Sequence, residues 1–518
     1  MVLQGPLSGS RRNRGAALLI ALVLILLVSV IAATSIETSR VEMNIAGNEV
    51  RRSQALWAAE AGLAKTEAVL RAFPTKSNAD SLMALINAGS QLPNASFSVA
   101  MEAGLPQRKV ISTGKGPQSE AAVQVLYHYG PNPYNIWNNV LFAGHGQNGM
   151  SIRGNTGIHG SVHILGDGEP YTDDNGNGQR DPGEPYTDTN HDGTFDAALG
   201  PGDMAISLTG TASISNNYLG LPAVLAGCLP SLPNISYGGE DVQTLFAELR
   251  VKHGTVVLDG DATAGQPNVQ GGTPAIKETL DATWVNDGFS GSAATDGVHA
   301  DNGHEESYDF NDEGPDMPDL DAPYVDSRGT SYTSYMNYLK ANALVVPGDL
   351  NIRCGATLPP SSNAAGSLAM DRFGNLSGSG IIYVRGDITI EGRCPINYSG
   401  RFTLVSEGDT KVDTDFYPRG TFAVHDIAGV VSHGRLELGE SASQLRLAGA
   451  FFAQEEVVTA KQTHLAGAVV SNFFNLTQVP NLYQVLQLAR HLPPGMPGAD
   501  DYYSYSWRRV PNSWTELY

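Results

Sequence analysis

Two copies of an acidic repeat carry the residues best suited to chemistry. The segments GEPYTDDNGNGQRDP and GEPYTDTNHDGTFDA follow one another between Gly168 and Ala197. The first copy matches the spacing D-x-[DN]-x-[DN]-G-x5-E of a twelve-residue calcium loop at every defined position. Its predicted ligands are Asp173, Asn175, Asn177, the backbone carbonyl of Gln179, Asp181 and Glu184. Oxygen atoms at these positions can surround a hard cation, and Gly178 supplies the sharp turn between them.

The second copy is a weaker version of the same loop. Its candidate ligands are Asp188, Asn190, Asp192, the Thr194 carbonyl and Asp196. Leu199 stands at the twelfth position, so the bidentate carboxylate is missing unless Asp203 or another acid replaces it. Pro170 and Pro185 exclude the two long helices of a true EF-hand. The repeat is similar to helix-free calcium repeats of extracellular proteins, and we expect one or two structural Ca²⁺ ions. A sensing role for the cation and a merely solvated acidic loop are the alternatives.

No catalytic constellation accompanies this loop. The sequence has no P-loop, no G-x-G-x-x-G after a strand, no H-E-x-x-H and no G-x-S-x-G. Its 12 histidines are scattered, and no two carboxylates are marked for acid–base roles. We therefore expect no catalytic residues, no organic cofactor and no enzymatic activity.

The composition is that of an acidic, turn-rich protein. In 518 residues, 32 Lys and Arg stand against 53 Asp and Glu, which gives a formal net charge of −21. This balance argues against a nucleic-acid partner, because no basic surface is available to neutralise phosphates. The 58 glycines and 16% charged residues favour a β-rich extracellular protein over a helical cytosolic enzyme.

The chain that carries this loop begins with a short basic segment followed by a long apolar one. Residues 1–15 carry three arginines, and residues 16–36 carry no charge. As a helix this uncharged stretch spans about 31 Å, the thickness of a bilayer core, with the arginines on the cytoplasmic side. The helical pattern continues without proline to residue 73, so we expect one long helix over residues 16–73. A simple single-pass anchor is an alternative, and a twin-arginine signal fits poorly.

The segments RGAALLIAL and SRVEMNIAGNEVRRSQALWAAEAGLAKTE resemble the N-terminal region of the PilX family of type IV pilus minor pilins. The resemblance covers about residues 11–70. It implies cleavage of the leader, residues 1–15, after Gly15 by a prepilin peptidase, and methylation of Ala16. It also implies insertion in the inner membrane, then assembly with other minor and major pilins by the inner-membrane machinery, and a place on the pilus.

One departure from the pilin pattern concerns the fifth residue after the cleavage site. Most pilins carry a glutamate there, and this chain has Ile20. In pilins that carboxylate pairs, inside an apolar filament core, with the terminal ammonium of a neighbouring subunit, because an unpaired buried charge is costly. A subunit with Ile20 cannot offer this partner to a subunit above it. We therefore expect the chain to cap or initiate a filament at its tip.

The remaining sequence predicts an α+β protein with a mainly-β ectodomain. Residues 74–131 contain short alternating runs that predict a small antiparallel sheet packed on the long helix. Residues 132–480 contain repeated Gly-polar-β runs, of which those starting at Gly386, Gly408 and Gly434 are 22 and 26 residues apart. This spacing favours a β-solenoid, with a β-sandwich as the alternative. Residues 166–200 form the calcium-loop insertion, and residues 481–518 form a C-terminal tail.

Two further features belong to the solenoid prediction. Residues 239–252 and 331–343 are interpreted as helices between coils. Cys354 and Cys394 occupy matching places after repeat runs, and adjacent coils lie about 4.8 Å apart, so a disulfide is expected between them. Cys228 is then left as a buried thiol.

These observations predict a minor pilin that initiates or caps a type IV pilus and displays a β-rich ectodomain for adhesion or assembly. One alternative is a minor pseudopilin of a type II secretion system. Another is a membrane-anchored protein that binds or degrades carbohydrate. The sequence identifies no surface or glycan ligand.

Overall fold

The fold is described from a computed structural model. The described residues are 13–74, 76–102, 104, 106–188, 193–273, 275–304, 307–310, 314–439, 444–459, 462–476, 479–499, 502–510 and 513–517. Most of the predicted leader, together with Asn190 and Asp192, lies outside these ranges. The chain divides into two compact units: a smaller one of residues 1–103, 109–126 and 513–518, and a larger one of residues 104–108 and 127–512.

The smaller unit is built around one long helix, α1 (Asn13–Ala72). Ala, Leu, Glu and Arg dominate its sequence, and the first proline after it is Pro74, so propensity favours a continuous helix. Its C-terminal part buries small and aliphatic side chains three or four residues apart, including Ala55, Ala59 and Leu63. Gly114 lies so close to Ala55 that an added Cβ would overlap its carbonyl oxygen. Small residues on both elements thus allow helix and sheet to approach closely.

Five further elements complete this N-terminal region. They are α2 (Ala79–Asn87), β1 (Gln91–Leu92), β2 (Ala95–Met101), β3 (Gln107–Gly116) and β4 (Ser119–Pro131). The strands pair antiparallel in the order β1-β2-β3-β4. The long helix and the antiparallel sheet confirm the fold class expected from the sequence for this region.

The last strands of the chain return to β4. Residues 505–509 pair antiparallel with residues 127–131, and residues 515–517 pair antiparallel with residues 122–124. Everything between β4 and these strands is therefore an insertion within one sheet. Residues 481–518 are expected from the sequence to form a tail, and in the structure this segment contains two strands of that sheet.

The larger unit consists mainly of stacked strands. The remaining strands of the chain, the last two of which pair with β4, have the following bounds. They are β5 (Leu141–Gln147), β6 (Ile152–Arg153), β7 (Gly157–His159), β8 (Val162–Ile164), β9 (Met204–Gly210), β10 (Ser213–Ser215), β11 (Asn234–Tyr237), β12 (Glu240–Gln243), β13 (Glu248–Val251), β14 (Thr255–Gly260), β15 (Thr263–Ala264), β16 (Ala282–Val285), β17 (Phe289–Ser290), β18 (Tyr324–Val325), β19 (Ser331–Tyr332), β20 (Ala343–Val346), β21 (Leu350–Arg353), β22 (Leu358–Ser362), β23 (Gly366–Met370), β24 (Asn375–Val384), β25 (Ile388–Glu391), β26 (Ile396–Ser406), β27 (Thr410–Val412), β28 (Phe416–Pro418), β29 (Ile427–Ser432), β30 (Leu436–Leu438), β31 (Gln444–Thr459), β32 (Gln462–Leu476), β33 (Asn481–Gln484), β34 (Tyr505–Arg509) and β35 (Thr515–Leu517). Short helices α3 (Ala223–Ala226) and α4 (Tyr335–Ala341) and two 3-10 turns, Ile136–Asn138 and Leu488–Arg490, complete the chain.

The stack is a parallel β-solenoid that the chain enters in its middle. β5 pairs parallel with both β8 and β32, although β32 lies more than 300 residues later in the sequence. From β5 the chain builds coils outward through β8, β13 and β16. It then resumes at β20 and builds back through β24, β26, β29 and β31 to β32. This parallel pairing favours the solenoid over an antiparallel sandwich.

The repeated Gly-Asp pairs have a structural role in the stack. Oδ1 of Asp349 accepts the backbone N–H of Asp387 at 3.0 Å, and Oδ1 of Asp387 accepts that of Asp409 at 2.9 Å. Asp409 accepts the N–H of Arg435 in the same way at 2.8 Å. Each carboxylate thus ties one turn to the next, which explains why Asp follows Gly at the start of successive coils.

Of the two helices predicted between the coils, the structure contains one. Residues 335–341 form α4 within the segment 331–343. The prediction of a helix over residues 239–252 is wrong, because that segment forms β12 and β13. β13 lies between β8 and β16 with all four of its residues buried. Pairing on both sides with neighbouring coils overrides the local helical pattern.

The three cysteines lie in the larger unit. Cys354 and Cys394 form a disulfide, with their Cα atoms 5.8 Å apart. Cys228 is a buried free thiol, and burial raises its pKa to about 11. At neutral pH the thiol is therefore protonated, as expected for a small core residue rather than a nucleophile.

Buried histidines predict a loss of stability in acid. Burial lowers the pKa of both His128 and His159 to about 4. Their ordinary value is about 6.5, so the unfolded chain binds these protons first. The contribution of each neutral histidine to the free energy of unfolding is complete above pH 6.5. This contribution, roughly 3 kcal/mol per histidine, is lost as the pH falls toward 4. Thermal unfolding measured at pH 7.5, 5.5 and 4.5 checks this, and a melting temperature that stays constant down to pH 4.5 would contradict it.

Candidate functional site

The first candidate site is the N-terminal half of α1. Every side chain of residues 17–46 is exposed, including the apolar run, and Ile20 is 59% exposed. The helix is long and apolar enough to cross a membrane. An apolar helix of this length with no protein packed around it requires lipid or other apolar helices as its environment.

An exposed apolar stripe extends this surface beyond the bilayer length. Ile36, Met43, Val50 and Trp57 are all more than half exposed and are spaced seven residues apart. A seven-residue repeat keeps side chains on one face of a helix and is the spacing of helix–helix seams. At 1.5 Å per residue the stripe is about 32 Å long. It is therefore suited to packing against a second helix.

The predicted processing site lies at the start of this helix. Gly15 and Ala16 fall within the helical backbone of α1, which begins at Asn13. The same helix continues without interruption from Ala16 into the apolar residues that follow.

The second candidate site is the first acidic loop. Asp173 accepts the backbone N–H groups of Gly176 and Gly178 at 2.6 and 2.7 Å. These hydrogen bonds hold the pKa of Asp173 below its ordinary value, so its carboxylate is ionised at neutral pH. Asn175 and Asn177 both approach Oδ2 of Asp181, at 2.5 and 2.9 Å. The side chains of Asn175, Asn177 and Asp181 thus meet, while the Asp173 carboxylate binds the backbone of the turn.

Glu184 closes this loop. Its carboxylate is buried and accepts the backbone N–H groups of Asp174 at 3.0 Å and Asp181 at 2.7 Å. Arg180 lies over the ring of Tyr186, with 4.5 Å from Cζ to the ring centroid. The twelfth-position carboxylate is thus tied to the second and ninth residues of the loop.

The second loop is closed by a residue that sequence reasoning missed. Glu169 is buried and accepts the backbone N–H of Asp196 at 3.1 Å, as Glu184 does for Asp181 in the first loop. Asp188 accepts the N–H of Gly193 at 2.9 Å, the counterpart of the Asp173–Gly178 bond. Leu199 still stands at the twelfth position of this loop, and Glu169 is a candidate for the other acid that the sequence left open.

The segments that precede the two loops pair with each other through reciprocal hydrogen bonds. Thr172 N–H donates to the Pro185 carbonyl at 2.9 Å, and Thr187 N–H donates to the Pro170 carbonyl at 2.8 Å. Tyr171 and Tyr186 form an antiparallel bridge between these bonds. The signal for Glu169 was in the repeat itself, because Glu169 and Glu184 occupy the same place in successive copies.

The candidate ligands of these loops are of three kinds: carboxylates, asparagine amides and backbone carbonyls. Within the described ranges, no three His, Cys, Asp or Glu side chains are grouped so that they could hold a metal. A cation in the first loop would therefore need the Asn amides and the Gln179 carbonyl as well as the carboxylates. Such oxygen donors suit Ca²⁺ rather than a transition metal.

Comparisons with known proteins bear on the N-terminal region and on the fold. Residues 14–64 match the family model of the PilX N-terminal domain. A similar solved structure is the crystal structure of the competence-associated pilin ComZ from Thermus thermophilus. It is 16% identical, with a TM-score of 0.50, and the match covers 90% of this chain and 97% of that chain. At this identity the likeness shows the fold alone. No curated protein matches at a significant level. The family match shows that residues 14–64 are similar to the N-terminal domain of the PilX family of pilins.

Proposed function

We propose that this chain is a minor pilin that initiates or caps a type IV pilus at its tip, where it displays the solenoid for adhesion or assembly. The observation that carries the proposal is Ile20, an apolar residue at the place where most pilins have an acid. In a filament core, a subunit without this carboxylate leaves the ammonium of a subunit above it unpaired, at a cost of several kcal/mol. The first position of the filament avoids this cost because no subunit lies above it.

Two structural features support the pilin role. The exposed stripe Ile36–Trp57 provides an apolar surface on which other pilin helices can pack. The insertion between β4 and β34 is larger than the sheet that carries it, and a terminal position leaves the most space for such a domain. The chain would occupy the inner membrane as a single-pass protein before assembly, with a structural rather than an enzymatic role.

Mass spectrometry of the mature N-terminus tests the pilin assignment. The proposal predicts a chain that starts at N-methylated Ala16, because a prepilin peptidase would remove the leader after Gly15. The control is the variant Gly15→Leu, in which the residue before the cleaved bond is bulky and the leader should remain. An intact Met1 in the wild-type protein, or a start near Ser35, would contradict the proposal.

A type II secretion pseudopilus is the alternative assembly. A pseudopilin has the same kind of N-terminal helix and leader, so the mature N-terminus does not distinguish a pilus from a pseudopilus. The phenotype of a deletion strain distinguishes them. Loss of piliation and twitching with normal secretion supports the pilus, whereas loss of secretion with normal pili supports the pseudopilus. A third outcome, loss of glycan turnover alone, would favour the membrane-anchored carbohydrate protein.

We propose in addition that the acidic loops bind structural Ca²⁺. What supports this is the full loop spacing of the first copy, together with the contacts of Asn175 and Asn177 with Asp181 and of Glu184 with the backbone of Asp181. In the second copy, Glu169 supplies the carboxylate that Leu199 does not. A cation would neutralise the repulsion between these acids and so order the insertion.

Limited trypsin digestion tests calcium binding at the first loop, because trypsin cleaves after arginine and Arg180 lies inside this loop. Cleavage after Arg180 should be roughly tenfold slower when free Ca²⁺ is about ten times its Kd than in chelator, since only the closed loop binds the cation. The variants Asp173→Asn and Glu184→Gln should be cut at the chelator rate even with Ca²⁺ present.

The matched control for this experiment is Asp174→Asn. Asp174 is exposed and stands between two ligand positions, so its variant changes the charge of the loop without removing a ligand. It should retain the protection seen in the wild-type protein. Equal cleavage of the wild-type chain in Ca²⁺ and in chelator would refute the calcium proposal and leave the pilin proposal untouched.

A further inference from the structure

A polar cavity of about 170 Å³ lies within the larger unit, beside β13 and β16. Its aromatic walls are Tyr237, Phe246 and Trp284, and the other lining side chains are mainly charged. A cavity of about 150 Å³ is large enough to hold benzene in other proteins. The space is therefore sufficient for a small organic molecule rather than for a single water.

The carboxylates at one side of the cavity already have cationic partners. Arg250 binds Asp309 through two hydrogen bonds, of 2.9 Å from Nε and 3.1 Å from Nη2. Arg250 also forms an ion pair with Glu248, and Arg508 contacts the same carboxylate. Arg250 and Glu248 are both almost fully buried. The charges of these side chains are therefore already neutralised by one another, and no ligand is needed to pair them.

The carboxylates at the other side are paired in the same way. Nζ of Lys277 lies 2.5 Å from Asp281 and 2.7 Å from Asp301, and Lys277 is 2% exposed. Tyr237 donates its hydroxyl to Asp301 at 2.8 Å. All four carboxylates of the lining therefore have cationic partners, and a cationic ligand would find no free acid here.

Two donors in the lining lack acceptors. Nε1 of Trp284 and Nε of Arg508 are buried, and neither has a hydrogen-bond partner among the described residues. The remaining groups of Arg508 are used, because Nη1 meets Glu248 and Nη2 lies 3.2 Å from Nε2 of His128. A buried N–H group without an acceptor costs about 1–3 kcal/mol, so the two together indicate a missing acceptor.

We propose that this cavity binds a small carboxylate, whose oxygen atoms accept hydrogen bonds from Trp284 Nε1 and Arg508 Nε. The aromatic walls would enclose its apolar part. An anion is favoured over a neutral carbonyl because charge-assisted hydrogen bonds are about twice as strong as neutral ones, and the guanidinium carries a full charge. None of the lining residues belongs to the helix α1 or to the acidic loops, so this proposal stands or falls separately from the pilin and calcium proposals.

Calorimetric titration of the full-length protein in detergent tests this proposal, with butyrate as the probe and butyramide as its neutral counterpart. Wild-type protein should bind butyrate saturably and at least about tenfold more tightly than butyramide. The variant Trp284→Phe keeps the ring and removes the N–H group, and its affinity for butyrate should fall about tenfold. Trp514→Phe, a change outside the cavity, should leave the affinity unchanged.

A second variant covers the case in which Trp284→Phe disturbs the fold. Arg508→Lys retains the positive charge beside Glu248 but removes the Nε donor, and should weaken butyrate binding to a similar extent. No saturable binding of butyrate to the wild-type protein would mean that the cavity holds only water, and would overturn the proposal. Equal affinities for butyrate and butyramide, or unchanged affinity in both variants, would also overturn it.

Discussion

Replacing Ile20 with glutamate should move this subunit from the end of the filament into its shaft. The variant regains the carboxylate that can pair with the ammonium of a subunit above it, so internal positions no longer contain an unpaired buried charge. We expect the number of copies per filament, measured by quantitative mass spectrometry of sheared pili against the major pilin, to rise several-fold over the wild-type ratio.

The matched control is Leu24→Glu, one helical turn further along α1. It introduces the same charge at a place where no terminal ammonium is available to neutralise it. This variant should be lost from filaments, because an uncompensated carboxylate in an apolar core costs several kcal/mol. A wild-type copy number in Ile20→Glu, or an equal effect of the two substitutions, would contradict the assignment of Ile20 as the residue that sets the position.

Replacing Gly467 with alanine should destabilise the solenoid strongly. Gly467 pairs with Gly449 across β31 and β32, and an added Cβ would overlap the carbonyl oxygen of Gly449. Its φ of +142° is also unfavourable for a residue with a side chain. Backbone strain and overlap with a neighbouring backbone together predict a loss of roughly 3–5 kcal/mol in the free energy of unfolding, measured by urea denaturation.

Gly348→Ala separates these two contributions. Gly348 has a positive φ of +73°, but nothing lies within 4 Å of the place where its Cβ would stand. This variant should lose only about 1–2 kcal/mol, the cost of the backbone conformation alone. Similar losses in the two variants would show that the Gly449–Gly467 contact is not tight and that the coils can separate locally.

Much of the fold could be predicted because its signals are local. Length, lack of charge and absence of proline predict a helix over residues 16–73, and the structure has α1 from Asn13 to Ala72. Repeated Gly-Asp pairs indicate successive turns of a solenoid, because each Asp caps the next coil. The calcium-loop spacing of residues 173–184 is likewise a local signal, because twelve residues contain all of its expected ligands; calcium binding itself stays a prediction.

The rest depends on contacts between distant parts of the chain. The pairing of β5 with β32 joins segments more than 300 residues apart, and no local pattern indicates that the chain enters its solenoid in the middle. The return of the last strands to β4 is of the same kind. Glu169 precedes the loop that it closes, so a search for an acid after Asp196 could not find it.

Labelling intact filaments with an antibody against the solenoid tests the central claim most directly. Electron microscopy of gold-labelled pili should show one label at a single end of each filament in the wild-type strain. The deletion strain that carries the chain on a plasmid should recover this label, and the strain without it should show none. Gold distributed along the filament shafts, or gold confined to membrane fragments with unlabelled pili, would contradict the account.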